Sequence, residues 1–156
     1  MTVELIDETM VSLARTIPLF KSTVEDYVKG NPAAILVVEF SEETWAGNLS
    51  KVDQLKEIMV SIFLGNKSEN PKKSGIDRGI VVIEPLEEQN RISEMRKSGL
   101  NIMMSMKSDA KPVSFVEDCA VPLPHLADYT QGLTDIFKKY GTHGTWYAHA
   151  SVGCLH

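Results

Sequence analysis

The sequence predicts an α+β fold, a ferredoxin-like antiparallel sheet with helices packed on one face. Three observations carry this. Helical and strand-like patterns alternate along the 156 residues, which fits either a parallel α/β sheet or a split βαβ layer. The ten glycines are scattered, with no glycine-rich strand-to-helix turn of the kind nucleotide-binding parallel sheets use. The strand-like run 113–121 carries Glu117 and Asp118 in its middle, which suits a sheet with one wet face better than one buried on both. At 24% charged and 43% hydrophobic, the composition is that of one globular domain.

Each element has its own signal. Residues 7–17 and 20–29 read as helices, parted near Pro18 and stopped by Gly30-Asn31-Pro32. Residues 33–40 form a strand around Ile35-Leu36-Val37-Val38. Ser50-Lys51-Val52-Asp53 has the form of a capping box, and the helix after it sets Val52, Leu55, Met59, Ile62 and Phe63 on one face. Residues 66–74 are a polar loop. Ile80-Val81-Val82-Ile83 marks a second short strand over 79–84. Residues 87–104 are helical, with Gly99 as a weak point. After the 113–121 strand, Pro124 suits a first helical turn. Leu126, Tyr129, Leu133, Ile136 and Tyr140 then recur at three and four, and Gly141 caps the end. Residues 145–150 are a further strand.

The net charge of −5 argues against nucleic acid as a partner, because the one compact basic group, Lys67, Lys72 and Lys73, sits in the polar loop. No apolar run approaches the ~20 residues of a membrane span, and Met1-Thr2-Val3-Glu4 lacks the basic start and apolar stretch of a signal peptide. Cys119 and Cys154 stand alone, outside any Cys-x-x-Cys pair, and read as small half-buried hydrophobes. With seven methionines they point to a reducing, cytoplasmic setting.

The densest chemistry lies in the last fourteen residues, which hold three of the four histidines, His143, His149 and His156. His149 shares a strand face with Thr145 and Tyr147. His156 follows a turn for which Ser151 and Gly153 are suited. Two imidazoles flanking a turn can converge on one divalent cation. Two histidines are an incomplete site, and on spacing alone the simpler reading is a partly buried His149 and an exposed His156. His125 and His143 read as surface residues, Trp146 and Tyr147 as packing residues.

Gly141-x-x-Gly144-x-Trp146-Tyr147-x-His149-x-x-x-Gly153-x-Leu155-His156 resembles the histidine motif of the C-terminal domain of FAD-linked oxidases, the family of D-lactate dehydrogenase, the glycolate oxidase flavin subunit and D-2-hydroxyglutarate dehydrogenase. Its usual form is Gly-His-x-Gly-Asp-Gly-Asn-Leu-His, from which the chain departs at Ser151, Val152 and Cys154. The His-Ala-Ser-Val-Gly form is similar to the branch fused to an iron–sulfur region. Val3-Glu4-Leu5-Ile6-Asp7 resembles the segment that opens the family's domain. Glu94-Met95-Arg96-Lys97 resembles its Trp-x-x-Arg-Glu helix. Glu117-Asp118-Cys119-Ala120-Val121-Pro122, followed by a helix and Gly141, resembles its Asp-Val-Ala-Val-Pro segment.

The resemblance implies roles. His149 and His156 would ligate a divalent metal such as zinc, manganese or iron, Arg96 would pair with a substrate carboxylate, and Lys111 would be a second substrate contact. The chemistry implied is oxidation of a D-2-hydroxy acid by hydride transfer to FAD, with iron–sulfur clusters in the fused branch. Residues 1–156 would be a single partial domain, the substrate-side cap of a larger flavoenzyme whose FAD-binding domain is absent here. The family's third, acidic ligand lies further downstream, so the chain is expected to be inactive alone. A homodimer, and for the intact enzyme a peripheral place on the inner membrane, stay open. Two alternatives remain. One is a non-catalytic ferredoxin-like binding module. The other is a small metalloprotein using His143, His149 and His156.

Overall fold

The computed structural model describes residues 1–64, 79–107, 111–113 and 116–156. Strand β1 (Thr2–Asp7) leads into helices α1 (Glu8–Thr16) and α2 (Pro18–Tyr27), then β2 (Ala34–Glu39) and α3 (Trp45–Leu64). Helices α4 (Leu86–Lys97) and α5 (Gly99–Met104) follow, then β3 (Cys119–Ala120), a 3-10 turn (Leu123–His125), α6 (Leu126–Lys139), β4 (Tyr147–His149) and β5 (Cys154–Leu155). The five strands form one sheet in the order β2-β1-β4-β5-β3, every neighbour antiparallel. The α+β expectation holds. No helix among the described residues is long and apolar enough to cross a membrane.

Strand β1, second from one edge of the sheet, is a strand the sequence reading passed over. Its apolar pattern is inverted: Glu4 and Ile6 face the buried side while Val3 and Leu5 are only partly covered. A carboxylate at a core-facing position hides the alternation that signals a strand. The next residue, Asp7, closes β1 and starts α1. Its Oδ1 accepts from the Met10 N–H at 3.0 Å, and its Oδ2 from the Trp146 N–H at 2.9 Å. One carboxylate thus caps a helix and pins the start of β4 to the sheet. Pro18 then forces Ile17 out of helical geometry and opens α2.

Helices α1, α2, α4 and α5 cover one sheet face. Ile6 meets Met10, Val11 and Ala14 from α1, Phe20 and Val24 from α2, Met95 from α4 and Ile102 from α5. Ile35, Val37 and Tyr147 of the same sheet face pack against this core. Helix α6 lies elsewhere. Its Leu126 and Thr130 line a cavity of about 190 Å³ with Leu5, Ala148 and Leu155 from the opposite face, and none of its residues is buried.

Several expected boundaries move. Residues 79–84 form no strand. The Gln89 side-chain amide, at 3.0 Å from each, donates to the carbonyls of Ile83 and Glu84 and so occupies two groups a ladder would need. Helix α3 starts before Ser50, where Thr44 Oγ1 accepts from the Gly47 N–H at 3.1 Å. Of its expected apolar stripe, Ile62 is 66% exposed, and the Phe63 side chain lies outside the described residues. The 87–104 helix divides at Ser98, beside Gly99. Of the expected 113–121 strand, residues 114 and 115 lie outside the described residues; among the rest Cys119–Ala120 are paired, and Asp118 just before them takes a left-handed φ of 52°. The 66–74 loop, with its three lysines, falls outside the described residues.

Candidate functional site

The covered sheet face ends in a polar cluster centred on Glu4. Register pairs Glu4 with His149 and Ile6 with Tyr147. Glu4 is 8% exposed, so its carboxylate must be paired to be tolerated there, and it is. Oε1 accepts from Arg96 Nη1 at 2.8 Å. Oε2 accepts from the Tyr147 hydroxyl at 3.0 Å and lies 2.7 Å from His149 Nδ1. An ionised carboxylate only accepts, so His149 Nδ1 is the donor of this contact and Nε2 is turned away from Glu4. Burial raises the Tyr147 phenol above its ordinary range, and the Glu4 carboxylate adds to this while Arg96 opposes it. Tyr147 therefore remains a hydroxyl donor.

Arg96 reaches Glu4 from the last turn of α4. Besides Glu4, Nη1 donates to the Tyr147 hydroxyl at 3.2 Å. Among the described residues, Arg96 uses no other nitrogen, which leaves Nη2 and Nε for a further acceptor.

The two motif histidines meet across the β4–β5 hairpin, with ring centroids 5.1 Å apart and planes at 86°. The turn between them depends on Gly153, whose φ is 73°, and a Cβ there would stand 2.0 Å from the Val121 carbonyl oxygen. His156 is flanked on both sides. Its Nδ1 lies 3.4 Å from Asp118 Oδ1, and its Nε2 lies 3.5 Å from Cys154 Sγ. Burial pushes the Cys154 thiol up, followed in effect by the charges of Asp118, Cys119 and Glu4.

The structure therefore joins Arg96 and His149 through Glu4 and sets His156 against the His149 and Tyr147 rings. It does not bring Lys111. That ammonium donates to the carbonyls of Met104, at 3.3 Å, and Met106, beyond the end of α5. His125 and His143 are exposed, and no contact among the described residues joins them to the cluster. Trp146 packs as expected, stacked on Phe137 with centroids 5.8 Å apart. Tyr147 packs its ring against the core and places its hydroxyl in the cluster.

The sequence profile of the FAD-linked oxidases, C-terminal domain, matches residues 1–156. The chain belongs to the FAD-linked oxidase C-terminal domain family. It is similar to the D-2-hydroxyglutarate dehydrogenases of Pantoea ananatis (28% identical over 160 residues), Haemophilus influenzae (28% over 159) and Escherichia coli (27% over 159). Each alignment covers 100% of this chain and 15% of the relative. The chain thus spans about 15% of the length of these curated relatives. No solved structure matches it.

Within this FAD-linked oxidase domain, sequence reasoning missed Glu4, Tyr147, Cys154 and Asp118 as members of the cluster. Glu4 left one trace, a carboxylate set between apolar neighbours in Val3-Glu4-Leu5-Ile6. Cys154 stands two residues before His156, a spacing that puts both on one strand face, whereas Asp118 left no trace, because only the β3–β5 pairing brings it beside His156.

The donor set of the FAD-linked oxidase domain fits a divalent cation. Metal-ligating histidines commonly donate their other ring N–H to a carboxylate, and His149 Nδ1 has that relation to Glu4. His149 Nε2 would then be the nitrogen offered to a cation, on a ring whose centroid stands 5.1 Å from that of His156.

Proposed function

We propose that this chain forms the substrate-facing part of an FAD-dependent oxidoreductase that oxidises a D-2-hydroxy acid of the lactate, glycolate or 2-hydroxyglutarate type. The observation that carries this is the convergence of Arg96 and His149 on Glu4, with His156 beside the His149 ring, in a chain of the FAD-linked oxidase family. Arg96 binds the substrate carboxylate through the nitrogens that Glu4 leaves unused, in the bidentate geometry a guanidinium favours. Glu4 holds that guanidinium in place and fixes the His149 tautomer. Tyr147 bridges the two, so the carboxylate-binding and metal-binding halves share one rigid support. His149 and His156 hold a divalent cation of the zinc, manganese or iron type. When bound, that cation supplies Lewis acidity at the substrate oxygens, and FAD, carried by a separate domain, accepts the hydride. Lys111 joins only by releasing its two carbonyls, so the carboxylate is assigned to Arg96.

The test uses the polypeptide that carries this segment together with an FAD-binding domain. D-2-hydroxyglutarate, D-lactate or glycolate should bleach its flavin in the absence of oxygen. Arg96→Ala should raise KM about tenfold to a hundredfold, the worth of a charge-assisted pair. The reading is overturned if none of the three acids bleaches the flavin or if KM does not move. The segment alone should bind no FAD, and flavin absorbance there would contradict the assigned division of labour.

A further inference from the structure

Asp118, Cys154 and His156 present ligand atoms that all lie within 4.8 Å of one another. The fold constrains each of them. Cys154 stands directly opposite His149 on one side and Ala120 on the other, so its side chain shares the His149 face. His156 is fixed by two backbone hydrogen bonds with Tyr147, of 2.8 and 3.1 Å. Asp118 adopts its left-handed φ of 52°, uncommon for a residue other than glycine, one step before the β3–β5 pairing begins. That conformation sets its carboxylate beside His156 rather than along the strand. The 3.5 Å from Cys154 Sγ to His156 Nε2 is also close to a ligand-to-ligand distance. Tetrahedral zinc bonds of ~2.0–2.3 Å place neighbouring ligand atoms roughly 3.3–3.8 Å apart.

We propose that Cys154, as a thiolate, is a third ligand of the divalent cation assigned above to His149 and His156, with Asp118 holding His156 through Nδ1, making this a sulfur-containing site that favours zinc-class cations and keeps one position open. The inference rests on the metal reading given above and adds one ligand to it. Thiolate donors select borderline and soft cations, whereas magnesium and calcium take oxygen. On binding, the Cys154 S–H bond breaks, its proton passes to solvent, and the sulfur electron pair forms the bond to the cation. No oxidation state changes. His156 contributes Nε2, the nitrogen beside Cys154, and keeps Nδ1 for Asp118.

Cobalt(II) titration of the full chain tests this, because a thiolate ligand produces a near-ultraviolet charge-transfer band that nitrogen and oxygen ligands do not. The wild-type chain should show that band, saturating at one equivalent, with no substitution needed. Cys154→Ser should abolish the band and weaken cobalt binding at least tenfold. Asp118→Asn should keep the band with a smaller loss of affinity, and Cys119→Ser, on the opposite sheet face, should change neither. If cobalt binds, His149→Ala and His156→Ala weaken it, and no band appears, the thiolate inference is overturned while the histidine reading stands. If the band appears but His149→Ala leaves affinity unchanged, the thiolate site stands and the two-histidine reading fails. If no cobalt binds, both fail.

Discussion

Ile6 and His149 lie on adjacent strands and face the same side of one sheet, yet their surroundings differ in kind. Ile6 is fully buried among side chains from four helices. His149 rests on Glu4, faces Cys154 and His156, and keeps part of its ring open to solvent. One half of the sheet is held by apolar burial. The other is held by short strands, one left-handed glycine and charge-assisted hydrogen bonds. The hydrophobic effect is non-directional and sums over area, so the first half fixes the fold without fixing any single atom. Hydrogen bonds and ligand geometry are directional, so the second half can orient reacting groups while adding little to stability. Arg96, Glu4 and Tyr147 sit where the halves meet, which anchors the oriented groups to the rigid part.

The comparison breaks first at Ile6. Ile6→Ala should cost about 3–4 kcal/mol, since a fully buried aliphatic side chain loses both its transfer energy and its packing. Urea unfolding measures this, and a loss below about 1 kcal/mol would mean the core is not where stability lies. Gly153→Ala comes next, at about 2–3 kcal/mol. Its new Cβ would meet the Val121 carbonyl, which sits 2.0 Å from that position. The damage should be local. Hydrogen exchange at the Val121 amide, which donates to the Gly153 carbonyl at 2.8 Å, should accelerate far more than exchange in α1. Uniform acceleration would show that the corner and the core unfold as one unit.

Glu4→Gln tests the joint between the halves. The shape is kept and the charge is lost, so Arg96 retains at most a neutral acceptor and His149 loses the carboxylate that fixes its tautomer. A stability loss of about 1–2 kcal/mol is expected from weakened charge-assisted bonds. Cobalt affinity should fall by about tenfold to a hundredfold, as for other carboxylates that support a metal-bound histidine. An unchanged affinity would separate Glu4 from metal binding and leave it as a partner of Arg96 alone.

The same division explains what the sequence disclosed. Apolar periodicity reports burial, so α1, α2 and β2 were legible, as was the break beside Gly99. The histidine motif was legible because its residues are close in the chain. Glu4 was not, because it meets Arg96 across 92 positions and His149 across 145. Its presence on the core face also concealed β1. Asp118 was read as a charge within a strand. Its left-handed backbone, which ends the strand and turns the carboxylate to His156, belongs to the β3–β5 pairing and has no local signature. Residues 79–84 misled in the other direction. Ile80-Val81-Val82-Ile83 has strand composition, but Gln89 takes the carbonyls that a neighbouring strand would have used.

Helix α6 supplies the smallest effect and the sharpest control. Its spacing of Leu126, Tyr129, Leu133, Ile136 and Tyr140 has the period of a core-facing helix, yet Ile136 is 51% exposed and Tyr140 is 74% exposed. A periodic pattern shows that a helix could bury a face, and the solvent-accessible surface shows whether this one does. Ile136→Ser removes little buried area, so the stability of the chain should change by no more than about 0.5 kcal/mol. Helix propensity contributes only a few tenths of that, since isoleucine and serine rank close together. Thermal or urea unfolding of the chain measures the difference directly. A loss above about 1.5 kcal/mol, the scale of burying a whole aliphatic side chain, would mean that Ile136 is covered in solution. The contrast between a packed half and a lightly held half would then have to be redrawn around α6.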